Sequence, residues 1–261
     1  MSRLADYAWA HYYSPSHGDL IKAFYVPVLG CAQRYDRVTG YFSATALSVA
    51  ARGLEGLILN SGRMRMVVGH TLGHEEAEAI AQGETLRNTL ETVFRKTPLN
   101  ADDSDQREAL ELLAWMVAQG YLEVKVAVPC DGARRPLADT ALFHPKAGIV
   151  EDKVGDRLAF NGSINETLHG WRYNVDTFHV FKSWDGGDGH VDAEEREFQA
   201  LWVDKSPSAV TIDVPQALRD DLLRYAPEEN ALPARLKRVA DDDAVQPTET
   251  VPKPPEPEPA S

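Results

Sequence analysis

The chain has 261 residues, 43% of them hydrophobic, and a formal net charge of −13. That length suffices for one sizeable core with appendages, and the charge excludes a protein that simply coats nucleic acid. The longest apolar runs, AVTIDV and LEVKVAVP, fall far short of a membrane span, and no charged segment leads into an apolar signal core, so the chain reads as cytoplasmic.

In chain order, DLIKAFYVPVLGCA reads as a short helical element around Pro27, and YDRVTGYFS as a strand from Arg37 to Phe42. Ser43 can cap a helix in which Leu47, Ala50, Leu54, Leu57 and Ile58 recur at helical spacing before Gly62. RMRMVVG follows as a second strand, completing a strand-helix-strand unit that implies parallel pairing and an α/β class. Residues 74–96 read as one acidic helix weakened by Gly83, and 104–119 as another that Gly120 stops.

LEVKVAVP alternates as a half-buried strand. A hairpin follows, Phe143–Val150 and Arg157–Asn161, turning at DKVGD. A Gly-Ser turn opens a short helix ending near Gly170, and NVDTFHVF returns as a strand. In DAEEREFQALW, Asp192 and Glu195 have capping-box spacing. Residues 1–238 form the folded domain; 239–261, rich in acid and proline, cannot bury a core and read as a disordered tail or linker. The two cysteines, Cys31 and Cys130, form no CxxC and read as buried thiols.

The chemistry concentrates in FHPKAGIVED and NGSINE. On a strand, His144, Lys146, Gly148 and Val150 share one face, and Phe143, Pro145, Ala147 and Ile149 share the other. An imidazole and an ammonium on one face, with a glycine leaving room beside them, suit a phosphate: the lysine binds oxygen while the imidazole attacks or protonates. Gly162 and Ser163 add backbone N–H groups and a hydroxyl at a helix start, where anions bind well. Asn165 adds an amide. Asn174 and Asp176 share a face on the next strand, where a carboxylate can orient the histidine.

The pattern His144-x-Lys146, four residues, Glu151, then Gly162-Ser163-x-Asn165 and Asn174-x-Asp176 resembles the HKD motif of the phospholipase D superfamily. The segment from FYVPVLG to RMRMVVG is similar to phospholipase D-like domains found ahead of DEAD/DEAH-type helicases in bacterial defence loci. The resemblance implies a phospholipase D-like mixed sheet flanked by helices, with one HKD half-site per chain. It implies a nuclease that cleaves DNA without a metal or other cofactor, through a covalent phosphohistidine.

Carried over by position, His144 is nucleophile or acid, Lys146, Ser163 and Asn165 hold phosphate, and Asp176 orients His144. Glu151, Gly162 and Asn174 support them. Glu151 stands where the family usually has aspartate, Asp176 where it usually has glutamate, and Pro145 removes a strand donor. The family builds its site from two such motifs and this chain carries one, so the resemblance implies an isologous homodimer, with a helicase partner reached through the tail. The alternatives are a catalytically weak DNA-binding and dimerisation module, or a phosphodiesterase for a lipid or other small molecule.

Charge is unevenly placed: residues 1–70 carry seven Lys/Arg against four Asp/Glu, whereas 74–120 carry four against ten. Arg34, Arg37, Arg63 and Arg65, with Arg134 and Arg135, are therefore candidates for a nucleic-acid backbone, each equally readable as a solvated charge. His70 and His74, four apart but in HTLGH, do not make an HExxH metal site. His179 reads as a packed or surface residue, and Tyr12, Tyr25 and Tyr41 as core or dimer contacts rather than base-stacking platforms.

Overall fold

In the computed structural model the described residues are 2–40, 53–96, 99–101, 104–137, 141–163 and 177–227. An eight-stranded mixed sheet runs through them in the order β1-β7-β6-β5-β2-β3-β4-β8. The strands are β1 Tyr12–Tyr13, β2 Ala32–Thr39, β3 Arg63–Gly69, β4 Leu122–Pro129, β5 Ala147–Asp152, β6 Arg157–Gly162, β7 Phe178–Lys182 and β8 Ala209–Asp213. A π-helical turn, Ile21–Tyr25, runs into α1, Val26–Cys31. The helix between β2 and β3, α2, is described over 53–59. Then come α3 His74–Ala81, α4 Leu86–Lys96, α5 Ser104–Ala118, α6 Asp188–Trp202 and α7 Gln216–Leu223.

β2, β3 and β4 pair in parallel, as their helical crossovers demand, and every other neighbouring pair is antiparallel. Both faces of the sheet are covered. One face packs Tyr35, Met64, Met66, Val126, Val150, Phe160 and Phe178 against apolar residues of the N-terminal segment, α1, α2 and α5. The other packs Val38, Val67, Ile149 and Ala159 against Val191, Phe198 and Leu201 of α6. Within β5 the expected alternation holds, with Val150 on the first face and Ile149 on the second.

Several expected boundaries change. β2 begins at Ala32, five residues before the expected start, because it also pairs along its other edge with β5, from Ala32↔Asp152 to Val38↔Ala147. The expected acidic helix 74–96 is two helices; the chain turns at Gly83, whose φ of +104° lies outside helical geometry. α6 starts a turn early, so Asp192 and Glu195 lie inside it and clamp Arg157 Nη1 at 2.8 and 2.7 Å instead of capping. β1, β8 and α7 were not anticipated. The outer edge of β8 is answered by a side chain, Thr211 donating its backbone N–H to Asp204 Oδ1 at 2.7 Å. Ser43, Leu47, Ala50, Tyr41, the short helix expected to end near Gly170 and the tail 239–261 lie outside the described residues.

Candidate active site

The His-x-Lys segment lies where the sheet stops. β5 begins at Ala147, and its last pairing with β2 among the described residues is Val38↔Ala147, so residues 143–146 form a lead-in rather than the expected strand. Pro145, with no N–H to give, fits that position. The carboxyl ends of β2, β3 and β4, the start of β5, the end of β6 and the start of β7 all meet at this edge. Ligands of α/β sheets bind outside such carboxyl ends.

His144 is exposed, whereas Lys146 is 4% exposed. Lys146 Nζ lies 2.8 Å from His144 Nε2 and 3.2 Å from His144 O. A buried ammonium needs such partners to offset its lost hydration. With the ammonium as donor, Nε2 accepts, which places the ring proton on Nδ1. β6 brings the second wall: Gly162 donates its N–H to Lys146 O at 3.3 Å, and Ser163 Oγ accepts the Thr177 N–H at 3.0 Å. Thr177 therefore fixes the serine hydroxyl, a role that no motif in the sequence pointed to. A β-carbon on Gly162 would lie 2.1 Å from Thr177 O, so only glycine lets β6 and β7 close this wall. His144, Lys146, Gly162 and Ser163 are thus brought together; Asn165, Asn174 and Asp176 lie outside the described residues.

Other candidates fall elsewhere. The room expected beside Gly148 is filled by the Phe160 ring, which a β-carbon there would meet at 2.3 Å. Glu151 is at the far end of β5, about 16 Å along the strand from Lys146, and pairs with Arg34 Nη2 at 3.0 Å. It belongs to an ion-pair network under α6. Arg34 also pairs with Glu195, and with the fully buried Asp36 at 3.4 Å; Arg65 reaches Asp36 Oδ2 at 2.6 Å. The hydrogen bonds and charge of Asp36, with smaller help from Glu123 and Glu195, raise the Arg65 pKa. Asp36 went unnoticed because a carboxylate in a strand reads as a solvent-facing residue.

The arginines do not make a free basic surface, which corrects the expectation for them. Arg34 is held by carboxylates, and Arg37 is fully buried with its guanidinium 5.2 Å from the Phe160 ring centre. Arg134 is bound by Asp204 and the Ser206 carbonyl. Arg135 is exposed but paired with Asp131 at 2.7 Å. Arg63 donates to Gly120 O at 2.7 Å. His70 packs against Phe94, ring centres 5.5 Å apart, and its burial lowers its pKa. Among the described residues, no group of three or more His, Cys, Asp or Glu could hold a metal, and no helix is long and apolar enough to cross a membrane.

No protein-family model and no curated protein matches the chain. Among solved structures it is similar to NucT from Helicobacter pylori, at 12% identity over 77% of this chain and 97% of that one, TM-score 0.43. Nuc from Salmonella typhimurium, a phospholipase D family member, matches at 12% identity over 78% and 95%, TM-score 0.42. Phosphatidylserine synthase from Haemophilus influenzae matches at 16% over 83% and 42%, TM-score 0.41. At identities and scores this low no residue's role is carried across, and the chemical reading stands on the residues themselves.

Proposed function

We propose that the chain is a phosphodiesterase of the phospholipase D type that cleaves DNA. The observation that carries this is the buried Lys146 ammonium 2.8 Å from the exposed His144 Nε2, beside the Gly162-Ser163 wall. An incoming phosphodiester takes over the lysine as partner for a non-bridging oxygen, and Ser163 serves a second. His144 Nε2 then attacks phosphorus; the P–N bond forms, the P–O bond to the leaving sugar breaks, and that oxygen takes a proton from a second imidazole, which enters protonated. In the second step water gives a proton back to that imidazole and attacks the phosphohistidine, breaking P–N and restoring the first. Fixed donors at the developing negative charge supply the electrostatic stabilisation.

A second copy of this chain supplies the second imidazole, making the active species a homodimer. Asn165 and Asp176 complete the phosphate grip and the orientation of His144. Under this reading the enzyme works in the cytoplasm and serves a helicase partner in defence through the tail 239–261.

The test is cleavage of single- and double-stranded DNA, and of bis(p-nitrophenyl) phosphate, by the purified chain in EDTA beside His144→Ala, with sedimentation at several concentrations. Turnover in EDTA that the substitution abolishes, from a dimer, is the expected result. DNA binding without cleavage would favour the non-catalytic module, lipid turnover would favour a phospholipase, and an active monomer would overturn the shared site.

A further inference from the structure

The tyrosines grouped together in the sequence part company in the structure. Tyr25 is fully buried. In β1, Tyr13 is 5% exposed and stacks on Phe178 with ring centres 5.1 Å apart, while Tyr12 next to it is 41% exposed. Tyr12 sits directly across from His179 of β7, their ring centres 5.2 Å apart and tilted by 53°. His179 is exposed as well. One exposed ring on a surface is ordinary. Two facing rings, fixed by a strand whose next residue is locked in the core, make a ready surface for a third.

From these positions we propose that Tyr12 and His179 form a stacking platform for an unpaired nucleobase. The inference rests on the phosphodiesterase reading and names its substrate class as single-stranded nucleic acid. Thr177, whose N–H is held by Ser163 Oγ at 3.0 Å, lies two residues before His179, immediately ahead of β7. Two residues span about 6–7 Å. The platform is thus within the reach of one nucleotide from the hydroxyl that serves the phosphate. Two carboxylates lie close by, and both are engaged: Asp185, 4.0 Å from the adjoining His11, pairs with Lys182 at 2.7 Å, and Glu194 accepts an amide N–H from Asn161, the residue across from His179. A base stacked in a duplex has both faces covered, so only an unpaired base can use the rings, and every base has a face to offer.

The experiment compares labelled oligothymidylate with an abasic chain of equal length by fluorescence anisotropy, using the full chain carrying His144→Ala to prevent cleavage. Oligothymidylate is expected to bind about tenfold more tightly than the abasic chain, and adding Tyr12→Ala removes that difference. In the active protein, Tyr12→Ala and His179→Ala raise KM for oligothymidylate about tenfold, leave bis(p-nitrophenyl) phosphate turnover within about twofold, and Tyr12→Trp retains the wild-type KM. Equal affinity for the two chains overturns the platform. So does a Tyr12→Ala loss as large on the small diester as on the oligonucleotide, which marks a structural role. If no diester is turned over at all, the functional reading fails, and the base dependence of binding still decides the platform.

Discussion

Gly162 and Phe178 are cross-strand partners whose backbones leave no room between them: a β-carbon on Gly162 would lie 2.6 Å from Phe178 Cα. Gly162→Ala forces β6 and β7 apart at the point where Ser163 and Thr177 meet. The expected cost is about 3 kcal/mol in urea unfolding, with diester turnover falling well beyond the change in folded fraction. Gly189→Ala is the control, since a β-carbon there meets nothing within 4 Å. Sitting in α6, it should stabilise by about 0.5–1 kcal/mol.

Lys146 is a buried cation whose amine rests on His144. Lys146→Met keeps the length of the side chain and removes the charge. Turnover should drop about 10²–10³-fold, while stability stays within about 1 kcal/mol of wild type, because the lost hydrogen bonds are offset by relief of the buried charge. Thermal unfolding beside steady-state kinetics separates the two effects; a parallel collapse of both would mean that Lys146 holds the fold rather than the phosphate.

Asp152, 3% exposed, fastens the N-terminal segment to the β5–β6 turn. Its Oδ2 accepts the Leu4 N–H at 2.9 Å and its Oδ1 accepts those of Val154 and Asp156 at 2.9 and 3.0 Å. Asp152→Ala leaves these donors without their acceptor and should cost about 2–4 kcal/mol. The loss is local first: limited proteolysis should cut between Leu4 and Tyr13 much sooner than in the wild type, before the sheet opens.

Burial pushes the Cys31 thiol up to about 11, and the Asp152 and Asp6 carboxylates add to the shift. Up to about pH 8.5 the thiol is protonated in both folded and unfolded chains. Above that, only the unfolded chain ionises until the folded value is reached. The contribution of Cys31 to stability is therefore full below about pH 8.5 and is lost by about pH 11, amounting to about 2–3 kcal/mol. Chemical denaturation across this range should show the decline, and Cys31→Ala should flatten it.

The strand-helix-strand order of β2, α2 and β3 was legible because Leu54, Leu57 and Ile58, in the described part of α2, recur at helical spacing between two strand-like runs. β1 was not, since two residues carry no period, and AVTIDV of β8 read only as an apolar run. The site was legible in part. His-x-Lys put two groups side by side, as Lys146 Nζ and His144 Nε2 are, but the sequence could not show that β5 begins only at Ala147 and leaves them on a lead-in. Nor could it show that the space beside Gly148 belongs to Phe160, or that Glu151 and Arg34 answer each other from neighbouring strands. Such facts depend on cross-strand register, which no single strand's sequence contains.

Asp204 taking the outward N–H of Thr211 has a consequence for how copies of the molecule can meet. A strand edge with free donors invites another strand, and a carboxylate that already occupies one donor also repels the carbonyls of a newcomer. At Thr211 the β8 edge is thus a poor place for another strand to add. In the homodimer proposed above, the second copy comes instead across the carboxyl ends of the strands, which brings it to His144.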